Sequence, residues 1–168
     1  EEVMHEILDV VKDGKAQGLT KDQLLTELSR LEGIYVPKWY KPIYGVDGRF
    51  EALESQVPNA ATQIQKRVVR DFNRLPYPEE FVVPYVEVVH DRVMGEIMRG
   101  CTRGCRFCQA GMIYRPVRER EPQVLKEQIA RLVESTGYEE ISLSSLSSGD
   151  YGQIGPLVRD LIVHYQDC

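Results

Sequence analysis

No stretch of this sequence approaches the ~18–20 consecutive apolar residues that a membrane-spanning helix needs, and no secretory signal stands at its start. Cysteine is scarce, at four residues in 168, and three of the four are bunched between positions 101 and 108. That distribution makes a poor disulfide framework and points to a reducing, cytoplasmic setting. Basic residues are outnumbered 21 to 26, which leaves a net charge of −5 and no general case for nucleic-acid binding. Histidine occurs three times. His5 reads as a surface residue, His90 as a turn residue, and His164 as a helix-end residue favourable to the macrodipole. The first residue is Glu rather than Met, so an excised piece of a longer chain is expected.

What is present is local patterning, and its character changes along the chain. Val3, Ile7, Leu8, Val10 and Val11 predict a helix over 1–17, weakened at its end by Gly14 and Gly18. Thr20 with Gln23 forms a capping-box pattern, and Leu24, Leu25, Leu28 and Leu31 follow on one face as far as Gly33. Ile34–Tyr40 and Arg49–Leu53 then read as strands about a Val46-Asp-Gly48 turn. Tyr35, Trp39, Tyr40, Tyr44 and Phe50 gather there, as a hairpin buried against the helices or as a stacking surface for a base. Residues 56–84, punctuated by Pro58, Pro76, Pro78 and Pro84, read as a linker with a helical stretch from Ala60 to Arg70. A domain boundary is expected near residue 80.

Beyond it, Tyr85–Val89 and Val93–Met98 are strand-like and lead into the cysteines. Glu121-Pro122 opens a helix whose buried face is Val124, Leu125, Ile129, Leu132 and Val133, ended by Gly137. Glu140–Leu146 is the next strand, and Ile154, Leu157, Val158, Leu161, Ile162 and Tyr165 mark a last amphipathic helix. The order strand, cysteine loop, helix, strand, helix demands parallel strands. Ligands in such architectures sit at the carboxyl ends of the strands. The cysteine loop and Ser147-Ser-Gly-Asp150 are therefore expected on one face.

The loop itself is Cys101-Thr-Arg-Gly-Cys105-Arg-Phe-Cys108. Thiolates crowded this closely usually share a metal or a cluster. Three are one short of what an electron-transfer four-iron cluster takes, so one iron would lack a protein ligand. Zinc is the rival, held by Cys105, Cys108, His164 and Cys168 and leaving Cys101 out. Seven arginines (Arg92, Arg99, Arg103, Arg106, Arg115, Arg118, Arg120) surround the loop, against Asp91, Glu96 and Glu119. They would offset an anionic cluster or receive an anionic substrate; the plain alternative is a solvated loop.

This cysteine spacing, with Phe107 before the third cysteine, resembles the signature of the radical S-adenosylmethionine (radical SAM) enzymes. The longer stretch Glu96–Arg118 and the segment Asp71–Pro78 are similar to a bacterial subfamily in which a cobalamin-binding-like domain precedes the radical SAM core; Asn73 stands where that subfamily is usually more acidic. The resemblance implies an α/β fold: an N-terminal helical and hairpin linker region (1–80), then the first two βα units of a partial (β/α)6 barrel (81–168), about a third of the core. It implies a 4Fe-4S cluster on Cys101, Cys105 and Cys108, whose open iron chelates S-adenosylmethionine and whose electron releases a 5′-deoxyadenosyl radical. Asp150, with Gly149, would hydrogen-bond the cofactor's amino group, and Phe107 would lie beside the adenine. A flavodoxin- or ferredoxin-like electron donor is implied as partner, and cobalamin would enter through a domain upstream. The substrate stays open between cobalamin-assisted methyl or alkyl transfer and methylthiolation of transfer RNA. A zinc-stabilised binding module without catalysis is the reading from another class. The piece alone is expected to bind a cluster without turning over, and Cys168 has no assigned role.

Overall fold

Gly14 sits where two helices meet. A Cβ at this buried position would lie 2.7 Å from Leu24 Cδ1, so the expected weak point of α1 (Glu2–Ala16) is where α2 (Lys21–Leu28) comes close. The computed structural model describes every residue except 1, 59, 62, 87 and 166–168. Its packing divides the chain into two units, Glu1–Arg70 and Asp71–Cys168. The division therefore falls before Asp71, where the sequence suggested a position near 80.

In the first unit the capping box forms: Thr20 N donates to Gln23 Oε1 (2.9 Å) and Gln23 N donates to Thr20 Oγ1 (3.4 Å). Helix α2 ends at Leu28 rather than running to Gly33. The amides of Arg30 and Leu31 donate to Glu27 and Leu28, three residues back, and so tighten the chain out of the helix. Pro37 opens a 3-10 turn over Pro37–Trp39, so the strand expected from Ile34 begins only at Tyr40. β1 (Tyr40–Tyr44) pairs antiparallel with β2 (Phe50–Ser55). Tyr44 and Phe50 are both exposed and pack edge-on at 6.1 Å, so these rings cover each other instead of the helices. The helix expected over 60–70 is absent among the described residues. Ile64, Val68 and Val69 offer it little apolar face, and Arg67 is drawn into a two-pronged pair with Glu6 (2.5 and 2.7 Å).

In the second unit β3 (Val93–Glu96) and β6 (Ile141–Ser144) lie parallel, Val93 opposite Ile141 and Glu96 opposite Ser144. The crossover between them holds β4 (Met98–Arg99), α3 (Gln109–Ile113), β5 (Arg118–Glu119) and α4 (Pro122–Thr136). β4 and β5 form a short antiparallel ladder. Gly137, at φ 69°, ends α4, and α5 (Ile154–Tyr165) follows β6. Val93, Ile97, Leu125, Ile129, Leu132 and Leu157 are fully buried and form the core. α4 lies close on β3, because a Cβ on Gly95 would already meet Ile129 Cδ1 at 3.3 Å.

One further expectation is corrected. Tyr85–Val89 forms no strand among the described residues, and Tyr85 and Val89 stand exposed; β-branched residues make a strand only where a neighbour pairs with them. The described sheets are each two-stranded and unclosed; β3 and β6 supply the parallel βα arrangement that two units require.

The segment Asp71–Pro78 packs within the second unit. Phe72 and Leu75 are buried, and Tyr77 donates its hydroxyl to the Met94 carbonyl. Asn73 Nδ2 donates to Glu121 Oε1 (3.0 Å), and Glu121 N donates to Asn73 Oδ1 (2.8 Å), so one amide caps the entry to α4 with both of its ends. A side chain that both donates and accepts serves both contacts at once. Asn73→Asp is expected to lower stability by about 1–2 kcal/mol through a lost donor and facing carboxylates; an unchanged denaturation midpoint would contradict it.

Candidate metal and cofactor site

The cysteine loop starts at Gly100, whose φ is +84°. A Cβ there would lie 2.7 Å from the Pro116 carbonyl oxygen and 2.8 Å from that of Tyr114. The return of the loop thus closes against the backbone of its own first residue. Arg103 N donates to Cys101 Sγ and Gly111 N to Cys108 Sγ, both at 3.4 Å. Cys108 also caps α3, and its amide donates to the Cys105 carbonyl. Amide donors of this kind support a sulfur that carries charge in a cluster. Cys105 is exposed, and all three cysteines are free. Among the described residues, however, no three Cys, His, Asp or Glu side chains converge as a ready metal site.

Asp150 sits in the turn after β6. Arg103 grips its carboxylate with two N–H groups, Nε to Oδ2 (2.6 Å) and Nη2 to Oδ1, and Ser147 Oγ donates to Oδ2 at 2.7 Å. These bonds, Arg103's first, hold the Asp150 carboxyl below the usual carboxylate range. The pair joins the cysteine loop to the turn, so the ends of β3 and β6 present their loops together. The carboxylate expected to accept from an amine is met instead by a guanidinium of the chain itself. Gly149 faces open space on its Cβ side, and Phe107 is 91% exposed. An open concavity of about 610 Å³ adjoins, lined by Cys101, Thr102, Arg115, Pro116 and Val117.

Residues 96–166 match the family model of the Radical SAM superfamily. The matched segment opens on the last residue of β3 and takes in the three cysteines, α4, β6 and the Asp150 turn. No curated protein and no solved structure matches the chain. No helix among the described residues is long and apolar enough to cross a membrane.

The family implies a 4Fe-4S cluster and S-adenosylmethionine, and the donor set fits them in type and number. Three free cysteines share one loop, and two of their sulfurs already accept an amide N–H. Of the zinc alternative, Cys168 lies outside the described residues, and the His164 ring packs edge-on against Tyr165 at 4.7 Å.

Several arginines in and just before the matched segment have structural partners. Arg99 makes a two-pronged pair with Glu96 (2.7 Å at each contact), and Arg92 reaches Glu140 at 3.2 Å. Arg120 is the largest departure from expectation. It is 1% exposed, its guanidinium 4.3 Å from the Phe72 ring centroid and 5.7 Å from that of Tyr77. Aromatic faces attract a cation in this way. Sequence reasoning missed it, although Phe72 and Tyr77 in the entry segment were the available signal.

Behind this cation, Tyr151 donates its hydroxyl to the Arg120 carbonyl at 2.7 Å. Burial first, then Glu119 and Glu121, push the Tyr151 phenol up to about 12. An unfolded tyrosine titrates near ~10. Its contribution is therefore full below about pH 10 and is lost as pH rises through about 12. Tyr151→Phe is expected to flatten that alkaline decline in unfolding free energy; a decline as steep as in the parent would contradict the assignment.

Proposed function

We propose that the chain carries the cofactor-binding opening of a radical SAM enzyme. Cys101, Cys105 and Cys108 serve as thiolate ligands of a 4Fe-4S cluster. Asp150 accepts from the amino group of S-adenosylmethionine, the Gly149 backbone leaves room for its approach, and Phe107 covers the adenine. The observation that carries this reading is the Arg103–Asp150 pair, which holds a three-cysteine loop beside a carboxylate at the carboxyl ends of two parallel strands. When bound, such a cluster supplies the electron that cleaves S-adenosylmethionine reductively. The chain's own residues hold and orient: the amides of Arg103 and Gly111 aim at two sulfurs, and the guanidinium of Arg103 sets positive charge beside an anionic centre. Cobalamin-assisted methyl or alkyl transfer is the reaction class we favour, on the wording of residues 71–78 and 96–118, with a small reductant protein as electron donor in the cytoplasm.

The test is a titration of S-adenosylmethionine into the anaerobically reconstituted chain, followed by visible spectroscopy. The expected result is a saturable change in the cluster's absorption. A cluster whose spectrum ignores the cofactor at saturating concentration would overturn the reading.

A further inference from the structure

We propose that Arg103 is a latch: it fastens the cysteine loop to the end of β6 through Asp150, and gives up that carboxylate to the amino group of an amino-acid ligand. The identity of that ligand rests on the reading under Proposed function; the latch itself rests on geometry.

Arg103 acts at both ends of the site at once. Its backbone amide donates to Cys101 Sγ, while its side chain makes the two-pronged contact with Asp150, 47 residues further on. Displacing the side chain therefore frees the segment whose amide supports a cluster sulfur. The carboxylate is held in one orientation by Ser147 Oγ, independently of Arg103, so it stays aimed when the guanidinium leaves. The partners also differ in exposure. The Arg103 side chain is 64% exposed and the Asp150 side chain 22%, so the cation can swing into water while the acceptor remains in the turn. A pair this exposed is weak enough to be exchanged by a ligand. An amino group is a suitable replacement, because its N–H donors, polarised by positive charge or by a metal, meet an acceptor-only carboxylate. The arrangement is thus competitive by construction: in the ligand-free chain the acceptor for the ligand's amine is filled by Arg103.

Arg103 is accordingly a positioning residue, and two measurements on the full chain separate its roles. The first uses iodoacetamide on the cluster-free protein. Arg103→Gln and Asp150→Asn should each raise the alkylation rates of Cys101 and Cys105 by about two- to fivefold, the range set by an exposed ion pair. The double variant should be no faster than either single one, and Arg103→Lys, which keeps the charge but not the fork, should fall between. Rates equal to the parent's, or increases that multiply in the double variant, would overturn the latch. Where Asp150→Asn fails to fold, the two Arg103 variants carry this measurement.

The second measurement is the dissociation constant of S-adenosylmethionine on the reconstituted protein. Removing the competitor in Arg103→Gln should tighten binding by about two- to fivefold, and Asp150→Asn should weaken it. Weaker binding in Arg103→Gln would overturn the exchange. A parent chain that takes up no iron would sink the functional reading and the exchange together, while the alkylation rates would still decide whether the loop is latched.

Discussion

Replacing Cys101 by Ala is expected to reduce the iron of the reconstituted chain from about four per molecule to near none. The three cysteines lie on one loop and are free, so removing one leaves two thiolates for a cluster already one ligand short of four. Cys101 is the informative choice because it separates the two metal readings. A zinc site built on Cys105, Cys108, His164 and Cys168 does not use it. The cluster reading predicts loss of iron, sulfide and visible colour together. Retention of a metal at full occupancy in Cys101→Ala would instead favour zinc. Circular dichroism keeps the test clean: the core of β3, α4, β6 and α5 does not involve Cys101, so the folded signal should survive.

Gly100→Ala is expected to be the most damaging single methyl group in the second unit. Two costs coincide there. An L-residue at φ +84° is in left-handed territory, a penalty of about 1–2 kcal/mol. Its Cβ would also press within 2.7–2.8 Å of two backbone carbonyl oxygens, which cannot rotate away as side chains do. Overpacking of this kind adds about 1–3 kcal/mol. A loss of about 3 kcal/mol lowers the melting temperature by roughly 10 °C for a chain of this size. Gly149→Ala is the internal control, since open space surrounds the new methyl group. Equal melting temperatures for the two variants would contradict the account of Gly100.

Residues that speak through spacing were legible before the structure. α4 and α5 carry apolar residues at helical intervals, Thr20 and Gln23 spell a capping box, and Gly137 stops a helix in the left-handed region. The parallel pairing of β3 and β6 followed from element order, and the three cysteines from their spacing. What stayed hidden depends on contacts far apart in the chain. Tyr85–Val89 has strand composition, yet composition supplies no neighbouring strand. Ala60–Arg70 was read as helical, yet no helix forms there among the described residues, and Arg67 instead pairs with Glu6, distant in the chain. Arg103 and Arg120 read alike as members of a basic cluster. One closes a bidentate pair with a turn in another loop, and the other is buried against aromatic faces, and neither fate leaves a local signal. Asp150 was picked out as an acceptor, but its guanidinium partner could not be read from the residues beside it.

The most direct measurement is the count of iron, acid-labile sulfide and zinc in the full chain after anaerobic reconstitution. A three-thiolate cluster predicts about four irons and four sulfides per chain with negligible zinc. One zinc per chain with no iron would contradict it.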